Sequence, residues 1–208
     1  TDFTKPVDIL AVDVPAGYTT LFVFPYSVGF QFSGFKNLAA LNEAITKRLK
    51  NLGVTTLLFM RHLELIEYEI KIPGKEASGE YLLDAEPVND HCTRVSAIES
   101  EDDKTDESLS FIKFSMPIDS MVSTRTIDVA FTVATDKEGK TTFQKAKNPY
   151  ISVYFPTETE SKLDFIVQGP FRTTPNRSSV PADEEENEAL AEQTAKLLRQ
   201  SVLELRDM

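Results

Sequence analysis

Six short segments in the middle of the chain carry the residue pattern of β-strands, and polar or turn-forming residues separate them. In the clearest segment, residues 127–133 read I-D-V-A-F-T-V, which is the alternation of a strand with one apolar face. So many strands in succession restrict this part of the chain to a β-meander, in which neighbours in sequence pair in the sheet. The predicted strands are Gly79–Pro87, Cys92–Glu99, Leu109–Met116, Thr124–Thr135, Thr141–Lys145 and Tyr150–Phe155.

Two helical patterns lie outside this β-rich part. Residues 37–51 have apolar residues spaced by three and four, with Asn37 placed to cap the first turn and Gly53 just past the end. Residues 183–207 show a second apolar stripe, and their acidic first turn suits the positive end of a helix dipole. The order of elements predicts an α+β fold, with mixed or antiparallel β-sheets, a few helices and a long C-terminal helix packed on the sheet.

The first third of the chain gives less distinct patterns. Val7–Val14 and Tyr18–Phe24 are predicted strands. Leu63–Ile72 is a further predicted strand, and its apolar residues switch face partway, which predicts a β-bulge near Leu65. The apolar run Val54–Arg61 fits a helix or a strand equally well.

The composition limits the partners and the compartment. The chain has 208 residues, 41% of them hydrophobic, and a formal net charge of −11. The charge argues against a nucleic-acid or anionic-membrane surface, because both need a basic footprint. Cys92 is the single cysteine, so no disulfide can form within the chain. No run approaches the roughly 18 apolar residues of a spanning helix and no signal peptide is recognised, so we predict a cytoplasmic protein, and Thr1 in place of Met suggests a piece of a longer one.

Two arginines stand out in the loop that leads into the last helix. Arg172 and Arg177 lie within twelve residues that also hold two prolines and four Ser or Thr hydroxyls. Arginine binds phosphate oxygens through a charged, two-pronged contact, so the loop fits an anion-facing surface. It also fits a structural loop whose arginines pair with the acidic residues 184–186, and composition alone favours this second interpretation.

Other candidate sites have less support in the sequence. The aromatic residues between Tyr26 and Phe32 fit either a contact patch or a loop folded over the core. The acidic stretch Glu101–Glu107 lacks the spacing of a calcium-binding loop, so a solvated hairpin tip is the better interpretation. His91 beside Cys92 has no second cysteine to complete a zinc site, and no metal site is predicted.

Several motifs resemble segments of one known family. The run V-Y-F-P-T-E at residues 153–158, the strand L-D-F-I-V-Q at 163–168 and the loop G-P-F-R-T-T-P-N-R at 169–177 are similar to the region after the ATP-binding domain in sacsin-like proteins and bacterial relatives of the ninety-kilodalton heat-shock chaperones. Residues 17–24, G-Y-T-T-L-F-V-F, resemble the closing strand of a GHKL-type ATP-binding sheet. The chain departs from relatives that carry Trp-Asn in the acidic stretch, because Glu186-Asn187 stands there.

The resemblance implies a division of the chain. Residues 1–72 would be the C-terminal edge of an ATP-binding domain or a connecting segment, and residues 73–208 a middle or transducer-like domain with its terminal helix. The nucleotide-binding motifs of that family are missing from the sequence, as is a phosphate loop of the Gly-x-x-x-x-Gly-Lys type. ATP and Mg²⁺ would therefore bind in the whole protein, an ATPase, and the 208 residues alone would bind no cofactor and hydrolyse nothing.

The resemblance also implies roles for individual residues. Arg177 matches the arginine that reaches the terminal phosphate of the nucleotide in the chaperones, and it is the implied catalytic residue. Arg172 and Gln168 would be cofactor-binding residues that orient the phosphate or the loop. The implied partners are the upstream ATP-binding domain of the same chain, a client protein and a second copy in a homodimer. The alternative is a protein–protein interaction domain with no role in ATP hydrolysis.

The missing motifs make a prediction for the 208-residue chain by itself. We expect no ATP turnover and no ATP affinity tighter than about millimolar, which corresponds to roughly −4 kcal/mol. Calorimetric titration with Mg²⁺ and ATP measures the affinity directly. A micromolar dissociation constant would contradict the resemblance, because the ATP site would then lie within these residues.

Overall fold

Residues Leu38–Lys50 form the first helix, α1, which confirms the helix predicted at 37–51. Its first turn is capped as expected, because Asn37 Oδ1 accepts a hydrogen bond from the Ala40 N–H at 2.9 Å. The chain divides into two units within this helix, between Ala44 and Ile45. The computed structural model describes residues 16–22, 34–102, 104–118, 125–138, 140–147 and 149–207.

The second unit is built on one nine-stranded sheet. The strands are β1 (Leu65–Ile72), β2 (Lys75–Pro87), β3 (Cys92–Glu101), β4 (Lys104–Ile118), β5 (Arg125–Thr135), β6 (Thr141–Gln144), β7 (Tyr150–Val153), β8 (Phe155–Glu160) and β9 (Ile166–Gln168). They lie in the order β1-β2-β3-β4-β5-β9-β7-β8, and β6 pairs with β5 beside this path. Within the described residues, β7 and β9 pair in parallel and the other neighbouring strands pair antiparallel.

A long helix, α2 (Glu185–Asp207), packs against β4 and β5. Together with the sheet it confirms the predicted α+β class, a mixed and mostly antiparallel sheet with a long C-terminal helix. Leu197 and Ser201 are the buried residues on the inward face of its C-terminal half. In the described ranges, no helix combines the length and the apolar content that crossing a membrane requires.

Both faces of the sheet are covered at β5, which explains why this strand is apolar on two sides. Val129 belongs to a buried cluster with Leu197 of α2. Its neighbour Ala130 points to the opposite face and belongs to a second buried cluster, with Leu57 and Leu58. A side chain on either face of β5 is therefore removed from water, and burial of apolar surface is the main force that stabilises the sheet.

The apolar run Val54–Arg61 begins with a 3-10 helix, Val54–Leu57. Leu58 and Phe59 follow it and are also buried. Because nearly every side chain from 54 to 59 is at least half-buried, no periodicity in the sequence could mark an inner and an outer face. This is why the pattern fitted a helix and a strand equally well.

The predicted β-bulge near Leu65 is wrong. Strand β1 pairs with β2 without interruption, from Leu65 opposite Leu82 to Ile72 opposite Lys75. Leu63 lies before the strand, and both Leu63 and Leu65 are 41% exposed. The apolar pattern of the sequence changes face because Leu63 and Leu65 are apolar residues at the surface. Strand β1 therefore contains no extra residue.

The predicted strand Tyr18–Phe24 is wrong in its described part, residues 18–22, which contain no strand. Tyr18 and Phe22 are 63% and 76% exposed, so neither side chain is buried as a strand inside a sheet would require. The rest of that prediction lies outside the described residues. The predicted strand Val7–Val14 and the aromatic stretch 26–32 also lie outside them.

The proposed boundary between residues 72 and 73 falls in the tight turn that joins β1 to β2. Gly74 in this turn has a φ of 78°, a conformation that glycine adopts without steric cost. Since β1 pairs with β2 along its whole length, residues 65–72 lie in the same sheet as the strands that follow. The domain division at residues 72 and 73 stays a prediction, and the two compact units of the structure divide between Ala44 and Ile45.

Candidate functional site

The loop between β9 and α2, residues 169–184, holds both arginines singled out in the sequence, and we call it the arginine loop. It leaves the sheet from β9, which is inserted antiparallel to β5 and parallel to β7. Phe171 turns back into the buried cluster that includes Leu197 of α2. A Cβ at Gly169 would lie 2.8 Å from the Phe171 ring, so a larger residue at 169 would collide with it.

One buried amide, that of Asn187 in the first turn of α2, holds both ends of the arginine loop. Its Oδ1 accepts a hydrogen bond from the Arg172 N–H at 2.8 Å. Its Nδ2 donates to the carbonyls of Arg172 at 3.1 Å and of Pro181 at 2.8 Å. Asn187 is 5% exposed, so these bonds satisfy polar groups that water reaches poorly. Residues 172 and 181 are thereby fixed to one point of the helix.

Between these two ends, residues 174–179 form a small hydrogen-bonded turn. The Thr174 N–H donates to the Ser179 carbonyl at 2.9 Å, and the Arg177 N–H donates to the Thr174 carbonyl at 2.7 Å. Asn176 Oδ1 accepts bonds from the Thr174 hydroxyl at 2.7 Å and from the Ser178 N–H at 3.3 Å. The turn holds Arg177 at a φ of 59°, a left-handed conformation that costs a non-glycine residue roughly 1 kcal/mol or more.

Strand β8 holds the far side of this turn. The Glu158 N–H donates to the Ser178 carbonyl at 2.7 Å, and the Val180 N–H donates to Thr159 Oγ1 at 2.9 Å. Because β8 pairs with β7 and β7 pairs with β9, the turn is attached to the same sheet from which its chain departs. Asn187, the internal bonds and β8 together determine the shape of the arginine loop.

Arg172 is the arginine that pairs with the acidic start of α2. Its Nε lies 2.6 Å from Glu186 Oε2 and its Nη2 lies 2.8 Å from Glu186 Oε1, which is a two-pronged contact. The hydrogen bond from Arg172 lowers the pKa of Glu186 below its ordinary value, and the same bond raises the pKa of Arg172. The expected pairing with residues 184–186 is therefore confirmed for Arg172.

Arg177 has a different environment. Its side chain is exposed, and its Nη2 donates a single 3.3 Å hydrogen bond to the carbonyl of Val153, the last residue of β7. Among the described residues, no carboxylate oxygen lies within 4.0 Å of its guanidinium. A neutral carbonyl is a weaker partner for this group than a carboxylate or a phosphate, so its charge stays uncompensated at close range within that part of the chain.

Gln168, the third residue that the resemblance assigned to the site, is buried in the sheet with 2% exposure. It pairs in register with Asp128 of β5 and with Ser152 of β7, so three polar side chains share one face. Its Oε1 has no hydrogen-bond partner among the described residues. The structure brings Arg172 and Arg177 to the surface of one loop and leaves Gln168 inside the sheet.

Metal-binding side chains do not gather elsewhere in the described ranges, where no group of three His, Cys, Asp or Glu residues could hold an ion. His91 Nε2 lies 2.6 Å from Glu204 Oε1 of α2, and the neighbouring Cys92 is buried. His91 therefore links the start of β3 to the last helix. In the acidic stretch 101–107, Glu101 pairs in register with Lys104, so β3 and β4 continue through most of this stretch.

Comparison with known proteins neither supports nor contradicts the resemblance. No family model, curated protein or solved structure matches the chain. The relation to sacsin-like proteins and heat-shock chaperones therefore stays a prediction, and it depends on the motifs quoted above.

The sequence patterns did not single out Asn187 as a residue of this site. A signal was present in the sequence. Asn187 interrupts the acidic run D-E-E-E-N-E at residues 183–188, and asparagine is a poor helix former whose side chain bonds readily to nearby backbone groups. An asparagine in the first turn of a helix can therefore indicate a side chain that holds the preceding loop.

Asn187 makes a quantitative prediction, with Asn176 as its control. Asn187→Asp keeps the acceptor for the Arg172 N–H but removes both donated bonds and places a carboxylate against two carbonyls, so we expect the free energy of unfolding to fall by about 2–4 kcal/mol. Asn176→Asp adds the same charge at an exposed side chain whose Oδ1 accepts its bonds, and we expect a change below about 0.5 kcal/mol. Urea unfolding measures both values. Equal losses would show that Asn187 does not hold the loop.

Proposed function

We propose that this chain is the coupling part of a chaperone-like GHKL ATPase. In this proposal an ATP-binding domain precedes these residues and binds ATP and Mg²⁺, and residues 73–208 act as the middle or transducer-like domain. The chain converts the state of the nucleotide into movement, and Arg177 contacts the terminal phosphate when the two domains close. A client protein would respond to that movement, and the 208 residues by themselves would not be an enzyme.

The observation that carries the proposal is the unequal pairing of the two loop arginines. Arg172 makes a two-pronged contact with Glu186, which leaves it engaged within the chain. Arg177 is exposed, and among the described residues its guanidinium donates a hydrogen bond to the Val153 carbonyl and forms no ion pair. Asn187, the internal hydrogen bonds and β8 fix the arginine loop, and the loop presents Arg177 at the surface. Because anions are the strongest partners of arginine, a ligand that carries negative charge could bind there.

An exposed guanidinium on a fixed loop is suited to act as an arginine finger. In phosphoryl transfer, negative charge spreads over the transferring oxygens, and a positioned cation stabilises that charge without needing to reorganise. A move of the Arg177 guanidinium from the Val153 carbonyl to a phosphate exchanges one hydrogen bond to a neutral oxygen for bonds to negatively charged oxygens. The chain carries a net charge of −11, so most of its surface repels a nucleotide and local cations decide where a phosphate can approach.

Arg172 and Gln168 have supporting roles in this proposal. The contact between Arg172 and Glu186 attaches the arginine loop to α2, so Arg172 orients the loop and contacts a phosphate only if it leaves Glu186. Gln168 is the last residue of β9 and sets the point at which the chain leaves the sheet. Both therefore act mainly through the position of Arg177.

The proposal predicts the kinetics of Arg177 variants in a protein that includes the ATP-binding domain. If Arg177 contacts the phosphate mainly in the transition state, Arg177→Ala should lower kcat more than it raises KM. We expect a loss of kcat of roughly 10³-fold or somewhat less, the low end for arginine fingers. Arg177→Lys should restore only part of the rate, because a point charge cannot reproduce the two-pronged contact. Steady-state ATPase assays measure these effects.

Arg172→Ala is the matched control for these assays. It removes an arginine from the same loop whose charge is already paired with Glu186, so we expect a smaller loss of kcat than for Arg177→Ala. Thermal melts of all variants establish that each is folded. Wild-type turnover in a folded Arg177→Ala protein would contradict the proposal and leave the loop with a structural role.

One observation favours the alternative, a protein–protein interaction domain with no role in ATP hydrolysis. A groove of about 480 Å³ lies between β6 and the C-terminal end of α2, and Phe143, Phe165 and Val202 contribute to its apolar lining. Phe143 and Val202 are each 52% exposed, and exposed apolar grooves commonly bind other proteins. The absence of an effect in the Arg177 assays would leave this function as the better supported one.

A further inference from the structure

A buried carboxylate, that of Asp128 on β5, is the centre of a polar cluster that the proposed arginine does not use. Asp128 is 7% exposed, and its Oδ2 accepts a hydrogen bond from Thr126 Oγ1 at 3.1 Å. Burial raises the pKa of the Asp128 carboxyl above its ordinary value, and a hydrogen bond from Ser115 and the positive charge of Lys113 oppose that rise. A charge in this position is costly unless several groups stabilise it.

Two cations join this cluster to the segment that precedes β1. Arg61 Nη2 donates to Thr126 Oγ1 at 3.2 Å, so Thr126 receives a bond from Arg61 and passes one to Asp128. Lys113 Nζ donates to the Leu58 carbonyl at 3.3 Å, and Asp128 offsets part of the cost of burying that ammonium. Residues 58–61 are therefore held to β4 and β5 through polar contacts as well as through the burial of Leu58.

The other side of the cluster adjoins the strand that carries the arginine loop. Strand β9 pairs with β5 through three residue pairs only, and the pair at the loop end is Asp128 with Gln168. Gln168 is followed at once by Gly169, where the loop begins. Strand β9 also pairs with β7 through two residue pairs. Because both ladders are short, each cross-strand pair, including that of Gln168 with Asp128, provides a large share of the contacts that position β9.

We propose that Thr126 and Asp128 are positioning residues that link segment 58–61 to the arginine loop. A displacement of Arg61 changes the hydrogen bonds of Thr126, and a displacement of Leu58 changes that of Lys113. Either change moves Asp128, and with it the Gln168 end of β9. The loop and its Arg177 then shift with respect to the sheet. The link itself is a property of this chain, and its use in ATP hydrolysis rests on the proposed function above.

The link is tested by hydrogen exchange on the 208-residue chain. Thr126→Val removes the hydroxyl at nearly constant volume, and Arg61→Gln removes the cation at an exposed position. We expect each to speed exchange of the hydrogen-bonded amides of the arginine loop, those of Arg172, Thr174 and Val180, by about threefold to tenfold, the effect of losing one hydrogen bond. The double variant should exchange no faster than the faster single one, because both changes break the same path.

Two controls separate this link from general loss of stability. Thr126→Ser keeps the hydroxyl and should leave loop exchange within about twofold of wild type, as should Arg199→Gln, which changes an exposed arginine of α2. Core amides of β3, at the buried residues Val95 and Ala97, report global opening. Unchanged loop exchange in Thr126→Val, or an equal rise in the loop and in those core amides, would overturn the proposal.

The exchange experiment tests the link, and the ATPase assays of Arg177 variants test the proposed function, so the two can fail independently. If Arg177→Ala retains full turnover while Thr126→Val still speeds loop exchange, the link exists but does not serve ATP hydrolysis. If loop exchange is unaffected while Arg177→Ala is inactive, the arginine acts as proposed and the link is refuted.

Discussion

The candidate site depends on three hydrogen bonds made by one buried amide. Asn187 binds the backbone of Arg172 in both directions and the carbonyl of Pro181, so the start and the end of the arginine loop meet at the first turn of α2. Because α2 packs on β4 and β5, the loop takes its position from the core of the sheet. A mobile surface loop could not present a guanidinium at a defined place without such an attachment, since the entropy of ordering it would oppose every contact.

The two arginines of this loop show how the same residue type can be structural or available to a ligand. Arg172 uses its two-pronged geometry on Glu186, and the resulting contact stiffens the junction of loop and helix. Arg177, held at a φ of 59°, turns its side chain to the surface. Strain of this kind persists only where the surroundings determine the backbone strongly, and the bonds of Thr174 and Ser178 do so here. In an acidic protein, one such cation has a large local effect on where an anion binds.

The sequence predicted much of the fold because its signals are local. Alternating apolar residues predicted strands β2 to β6, and helical spacing predicted both helices, with Asn37 as a cap. The predicted strand Tyr150–Phe155 is wrong, because the chain reverses there and forms two paired strands, β7 and β8. The site was predicted in part: charge indicated the pairing of Arg172 with the acidic residues, but the amide of Asn187 bonds to backbone groups that lie 6 and 15 residues away, and no local pattern encodes such partners. For the same reason the sequence did not show that Gln168 would be buried between β5 and β7.

In the proposed function, Arg177 exchanges the Val153 carbonyl for the terminal phosphate of a nucleotide. A structure of the protein with its ATP-binding domain, Mg²⁺ and a non-hydrolysable ATP analogue tests this most directly. We expect a guanidinium nitrogen of Arg177 at about 2.7–2.9 Å from an oxygen of the terminal phosphate, with Asn187 still bound to Arg172 and Pro181. An ordered nucleotide between closed domains, with Arg177 still on the Val153 carbonyl, would contradict it.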